Sequence, residues 1–523
     1  KIQSHACSPA FHEWNETEFG INETNTYVAF CPFRHGSRQM PLQPRHALIS
    51  LMFCALTLAA TPASAHSFGR LYTLPVPFWL YLYGAAATLL VSFLLIGALA
   101  SQQQTTQAQL TRPAIPLGRL MTRLRPWLRS LSVMTLLLCI LTGLFGVQDP
   151  YRNFSMTSFW ILFILGFAYA TAFIGDLYGT INPWRVISES LGRMNRLFDG
   201  LWAYPRWLGY WPALALYSAF IWIELFGHAL PRTLAWQLLA YSGITLTGMI
   251  CFGRDAWLRH GEFFGVFLRL IAHMSPLQHE RGPQAQGLRW RMPFAGLQQH
   301  HAEHISLVIF ILFMLSATAF DGLRGTVSWY RLFWTDPYGL IQGWIGQPPI
   351  HAFVQLRPYY LGYETLCLLL SPWLYFATYA LFVWMGRLMA GSRVPMRQLL
   401  LDFSFSLLPI ALVYHITHYY TLLLSQGVKI VSLLSDPFGW SWDLFGTAQL
   451  WRAPILPEMG TVWHTQVGLI LFGHVVSVYL AHQQALRSFG SARAAVLSQV
   501  PMLGLMVLFT TAGLWILAQP IMG

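Results

Sequence analysis

Histidine is the residue through which this sequence offers chemistry, because it recurs inside stretches that are otherwise apolar. One stretch carries Tyr414-His415-Ile416-Thr417-His418-Tyr419-Tyr420, and the next carries His464 and His474. Ionisable groups are costly in a bilayer, so they usually face a protein interior and mark functional sites. His415 and His418 are three apart, about 60° around a helix and one turn along it, so both rings can address one neighbour. Neutral imidazoles together with a carboxylate suit zinc, manganese, iron or copper. Asp321, closing Ser316-Ala-Thr-Ala-Phe-Asp321, is the carboxylate best placed to join them. Glu224 and His228 are four apart on one helical face, where they can serve as further ligands or as general base and acid. His464 and His474 both remain open as the partner from the second helix.

The same histidines admit other chemistries. His415 or His418 paired with His474 would ligate a b-type haem across two helices. A transporter or a metal-insertion factor would use them as a pathway. Thiolate chemistry is not indicated: the six cysteines contain no Cys-x-x-Cys, and Cys139, Cys251 and Cys367 sit singly in apolar runs.

These residues need elements that can hold them at depth. The 523-residue chain is 55% hydrophobic and 10% charged, which excludes an ordinary soluble enzyme and makes the fold all-α and polytopic. Ten spanning helices are expected over 78–100, 128–147, 155–175, 208–229, 234–252, 304–320, 361–385, 399–425, 461–481 and 494–517. The segment 256–274 is broken by charges and reads as interfacial or half-inserted. Glu364, at a helix mouth, is a weaker candidate.

Residues 1–39 begin with Lys1 and read as an upstream extension, separate from the mature protein. Met40 opens a basic segment, followed by the apolar run 47–60 and Ala63-Ser64-Ala65, the pattern of a signal peptide over 40–65. Cleavage there makes 66–523 a single multi-pass domain with both termini outside. It also exposes His66 as the first residue, whose α-amine and imidazole together favour copper. The formal charge of +12 does not indicate nucleic acid, because no basic aromatic patch accompanies it. The expected inner loops hold twenty Arg and Lys residues against eight on the outer segments, the bias of a bacterial inner-membrane protein. On that orientation the histidine site lies toward the periplasm, with His418 roughly 10 Å deep and His415 roughly 15 Å. The implied partners are the lipid bilayer and a small lipophilic substrate; a partner subunit is left open.

Other polar clusters read as architecture. Gln299-His300-His301-Ala302-Glu303-His304 opens a helix, while Gly175-Asp176 through Asn182-Pro183-Trp184-Arg185 is a helix stop and interfacial anchor. Two long outer loops share Asp336-Pro-Tyr-Gly339 and Asp436-Pro-Phe-Gly439, and Asp149-Pro150-Tyr151 echoes them. Either an internal duplication or a shared turn chemistry would produce that echo.

His66-Ser-Phe-Gly-Arg-Leu-Tyr-Thr-Leu-Pro-Val-Pro-Phe, Gly175-Asp176 through Arg185, and Gly253-Arg-Asp-Ala-Trp-Leu-Arg-His-Gly-Glu262 resemble multi-pass bacterial membrane proteins known as fenitrothion hydrolases. The likeness extends over about 66–517. It implies membrane-bound hydrolysis of an organophosphorus ester and assigns no catalytic residue. The expectation is therefore a metal-dependent hydrolase of an apolar phosphotriester. His415, His418, His464, His474, Asp321 and His66 are its candidate ligands, and Glu224 and His228 its proton-handling pair.

Overall fold

A computed structural model describes residues 77–100, 117–192, 196–227, 230–279, 288–450, 453–455 and 457–519. The expected extension over 1–39, the signal peptide over 40–65, His66 and His228 lie outside the described residues. Among the described residues, ten helices are long and apolar enough to cross a membrane. Among the same residues, strand is confined to one short antiparallel pair, β1 (Leu277–His279) with β2 (Leu288–Trp290).

The helices that matter below are numbered in chain order. They are α1 (Phe78–Ala100), α2 (Leu117–Phe145), α3 (Phe154–Ile174), α4 (Pro183–Gly192), α5 (Trp211–Phe226) and α6 (Pro231–Phe252). The short α7 (Arg254–His260) and α8 (Phe263–Ala272) follow. The second half holds α9 (Ile305–Arg324), α10 (Phe353–Met389), α11 (Leu408–Gly427), α12 (Met459–Ser488) and α13 (Ala492–Ala518).

Two of these are enclosed by the rest. In α9, every residue from Ser306 to Thr318 is buried, and in α11 so is every residue from Leu408 to Tyr414. A helix apolar on all sides belongs in the middle of a bundle, and α9 has that composition. By contrast α1 and α2 expose Leu94, Leu95, Leu131 and Leu137, a surface suited to lipid. The helix pair α11/α13 is closely apposed: the Tyr414 hydroxyl donates to the Phe509 carbonyl at 2.8 Å, and a Cβ on Gly513 would collide with that hydroxyl.

Three features depart from the sequence-based boundaries. α9 runs to Arg324 rather than 320, because Thr326, whose Oγ1 accepts from Trp329 N, is what starts the next helix. That extension puts Asp321 and Arg324 on one face of the last turn. α10 is 37 residues, about 55 Å, and absorbs Pro358 and Pro372. Each proline lacks one backbone donor, a cost a long helix tolerates where its neighbours are in place. Thr157–Phe167 within α3 winds as a π-helix, wider than the α-helix expected there.

The segment expected to be interfacial or half-inserted is two helices. α7 stops at Gly261, and buried Glu262 caps α8 by accepting from Phe264 N at 3.2 Å and Gly265 N at 2.8 Å. The repeated Asp-Pro-aromatic sequences share turn chemistry. Asp336 accepts from Leu340 N and Gln342 N, Asp436 from Trp440 N and Ser441 N, and Asp149 from Tyr151 N. Gly339 and Gly439 follow at φ 65° and 72°, a conformation that glycine adopts without strain.

Candidate functional site

The two enclosed helices also carry the central polar contact. His418 on α11 and Asp321 on α9 meet with Nε2 and Oδ2 2.8 Å apart. The same Oδ2 accepts from the Tyr419 hydroxyl, also at 2.8 Å. Arg324 stands one turn along α9, its Nη1 3.8 Å from Asp321 Oδ1. Its Nε lies 3.5 Å from Oε1 of Glu364 on α10, a residue 5% exposed and so in need of a partner. The guanidinium also donates to the Leu225 carbonyl at 3.1 Å, which ties it to α5. Glu224, on that same helix, interacts with Tyr419 and Asp321. Four helices thus converge on three carboxylates, an imidazole, a phenol and an arginine.

His415 sits one turn deeper and has its own partners. The Tyr169 hydroxyl, from the turn of α3 that follows the π-helix, lies 3.2 Å from His415 Nδ1 and donates to the His415 carbonyl at 3.1 Å. The ring also faces Phe267 of α8 and Tyr419. Helix contact at the dyad is close: an added Cβ on Gly322 would lie 2.9 Å from Ile516 and 3.9 Å from His418 Nδ1.

The expected ligands therefore divide. Asp321 and His418 form the contact, with Glu224 beside them, and His415 is one turn away with a tyrosine. His464 is at the bundle edge, with Nδ1 on the Gly460 carbonyl at 2.7 Å and Nε2 3.3 Å from the Tyr81 hydroxyl. His474 is fully buried; its Nδ1 bonds the Ile470 carbonyl at 2.8 Å, its ring faces Tyr414, and its Nε2 has no hydrogen-bond partner among the described residues. Among the described residues, no three His, Cys, Asp or Glu side chains stand together as a metal-binding group.

Sequence reading did not anticipate Tyr419, Tyr169 or Arg324 in this cluster. Tyr419 was visible beside His418, and Arg324 three residues after Asp321 is an i,i+3 ion-pair spacing. Tyr169 had no such signal, since only the packing of α3 on α11 brings it near.

Fold and site together define a polytopic helical membrane protein with a buried ionisable cluster. No protein-family description, curated protein or solved structure matches the chain.

Proposed function

We propose that this protein is a membrane-embedded hydrolase of apolar organophosphorus esters, with His418 and Asp321 as its central pair. The observation that carries the site is the contact of Asp321 Oδ2 with both His418 Nε2 and the Tyr419 hydroxyl, inside an apolar bundle. The substrate class rests on the sequence resemblance.

With Nε2–H donating to Asp321, neutral His418 keeps its proton-accepting lone pair on Nδ1. A carboxylate that fixes tautomer and orientation in this way prepares an imidazole to act as general base toward water. Tyr419 holds the carboxylate from a second direction. Arg324 supplies positive charge between Asp321 and Glu364, where negative charge developing on a phosphoryl oxygen would be stabilised. Glu224 is a second proton-handling group within the cluster.

The donor types also suit a zinc, manganese or copper ion, but the arrangement is that of a hydrogen-bonded dyad rather than a ligand set. His418 Nε2 is spent on Asp321, and among the described residues no three His, Cys, Asp or Glu side chains are arranged as a metal-binding group. For b-type haem, the Nδ1 atoms of His474 and His415 are engaged by the Ile470 carbonyl and the Tyr169 hydroxyl, while Nε2 of His474 has no hydrogen-bond partner among the described residues and stays available as a ligand.

A second reading is proton-coupled transport, favoured by the chain Glu364–Arg324–Asp321–His418 that links α10, α9 and α11. One experiment separates the readings. Purified protein is assayed on a 4-nitrophenyl phosphotriester beside His418→Ala and Asp321→Asn, with elemental analysis of each. Turnover that falls about 100-fold or more in His418→Ala supports the dyad. A stoichiometric metal lost from both variants restores the metal reading. Turnover absent from the wild type, with proton-linked uptake in proteoliposomes, rejects hydrolysis in favour of transport.

A further inference from the structure

A cavity of about 390 Å³ opens at the arginine-rich end of the bundle, away from the His418 cluster. Pockets of this size hold small molecules. One wall is the polar stripe of α8, where Glu262, Gly265, Arg269 and His273 share a face, and the facing walls include α7 and the segment preceding α9.

The hydrogen-bonding capacity of the lining is unevenly spent. Its carboxylates already have donors. Glu262 accepts from Asn182 at 3.0 Å, Tyr241 at 2.7 Å and two backbone N–H groups. Asp255 is paired with Arg185 at 3.0 Å, and Glu303 with Arg259 at 2.6 Å. Asp176 accepts from Gly179 N at 2.9 Å. The donors are less fully used. Among the described residues, Arg269 hydrogen-bonds the Arg259 carbonyl alone, at 2.5 Å, and has no carboxylate within ion-pair distance, Glu262 being the acidic group its charge acts on. His273 stacks on His300 with ring centroids 4.3 Å apart and makes no hydrogen bond among the described residues. His301 has Asp402 in its neighbourhood but no hydrogen bond to it. Arg269 and the histidines therefore keep N–H donors to offer into the cavity, while each of its four carboxylates is already engaged.

We propose that this cavity is a second binding site, for a small phosphate-bearing anion, with Arg269 and His301 as the groups that hold the phosphate. Arg269 presents remaining N–H donors on a rigid guanidinium plane, the geometry that suits phosphate oxygens. His273 adds a donor from the same helix face. The volume leaves room for an organic portion, and two sources share this chemistry: a soluble phosphate ester and the headgroup of a phospholipid.

The test uses the full chain. Thermal unfolding is followed in detergent with inorganic phosphate and with glycerol phosphate, and in nanodiscs of phosphatidylcholine with or without phosphatidic acid. A saturable rise in the unfolding midpoint with either soluble probe assigns the site to a soluble ester. A rise with phosphatidic acid alone assigns it to a lipid headgroup. In either case the midpoint-derived affinity should fall about 10-fold or more in Arg269→Lys/His301→Ala. His301→Ala alone serves if the double variant does not fold, and His418→Ala should leave binding intact. No rise with any of the three probes overturns the proposal, as does a rise of equal size in the variants.

Discussion

At the scale of single residues, the cluster makes Asp321 a structural as well as a chemical centre. Its side chain is 18% exposed and receives His418 and Tyr419 while facing Arg324. Removing one partner of an enclosed pair leaves the others unsatisfied. Asp321→Ala is expected to destabilise the protein by about 2–4 kcal/mol, and Asp321→Asn by less, since the amide oxygen still accepts. Thermal unfolding in detergent reads this, and equal midpoints for wild type and Asp321→Ala would show that the contact contributes nothing. His273 provides a pH signature of its own. Burial first, then the adjacent His300 and the charges of Arg269 and Arg291, push its imidazole down to about 3, with Asp176 acting weakly the other way. The unfolded chain would bind a proton near pH 6.5 while the folded one would not. Stability from this group is thus present above pH 6.5 and lost as pH falls toward 3. His273→Gln should flatten the fall of the unfolding midpoint between pH 6.5 and 4, and a profile parallel to wild type would count against this account.

At the scale of elements, legibility followed how strongly a residue contrasts with its surroundings. Asp321 and His418 stood out because each interrupts an apolar run, and the cost of burying such a group is what gives the pattern meaning. Arg324 was hidden by a four-residue error in a helix end, which turned a partner of Asp321 into a loop charge. The π-helical stretch of α3 was hidden for a different reason: its apolar residues, Thr157–Phe167, have the composition of an ordinary spanning helix. The arginine-end cavity was overlooked because each segment lining it also makes a sound helix stop or interfacial anchor. Only the folding of α7 and α8 back against the segment preceding α9 gathers them. Glu262 fixes that arrangement, with four donors on one buried carboxylate. Glu262→Ala would orphan all four and remove the cap of α8, costing about 3 kcal/mol. Glu262→Gln should recover part of it. Proteolysis near 261–279 that is no faster in the alanine variant than in wild type would argue against this role.

At the scale of the whole molecule, the bundle sorts its chemistry toward two ends. The His418 cluster sits near the ends of α9 and α11 that lead into the Asp-Pro turns, and the cavity sits among the arginines of α4, α7 and α8. From the positive-inside bias, the arginine end is expected to face the cytoplasm and the cluster the periplasm. Orientation can be tested without reference to function. In a background lacking all six cysteines, Ser441→Cys reports the turn after Asp436, and Arg393→Cys reports the loop after α10; both positions are exposed. Intact spheroplasts treated with a membrane-impermeant thiol reagent should label the first and spare the second until the membrane is opened. The reverse pattern would move the cluster to the cytoplasmic side and bring the cavity to the outside. A hydrolase would then meet its substrate after entry rather than at the outer leaflet, while phosphate esters of the cytoplasm would have no access to the cavity. The labelling result therefore constrains which molecules can reach each site, even before either ligand is identified.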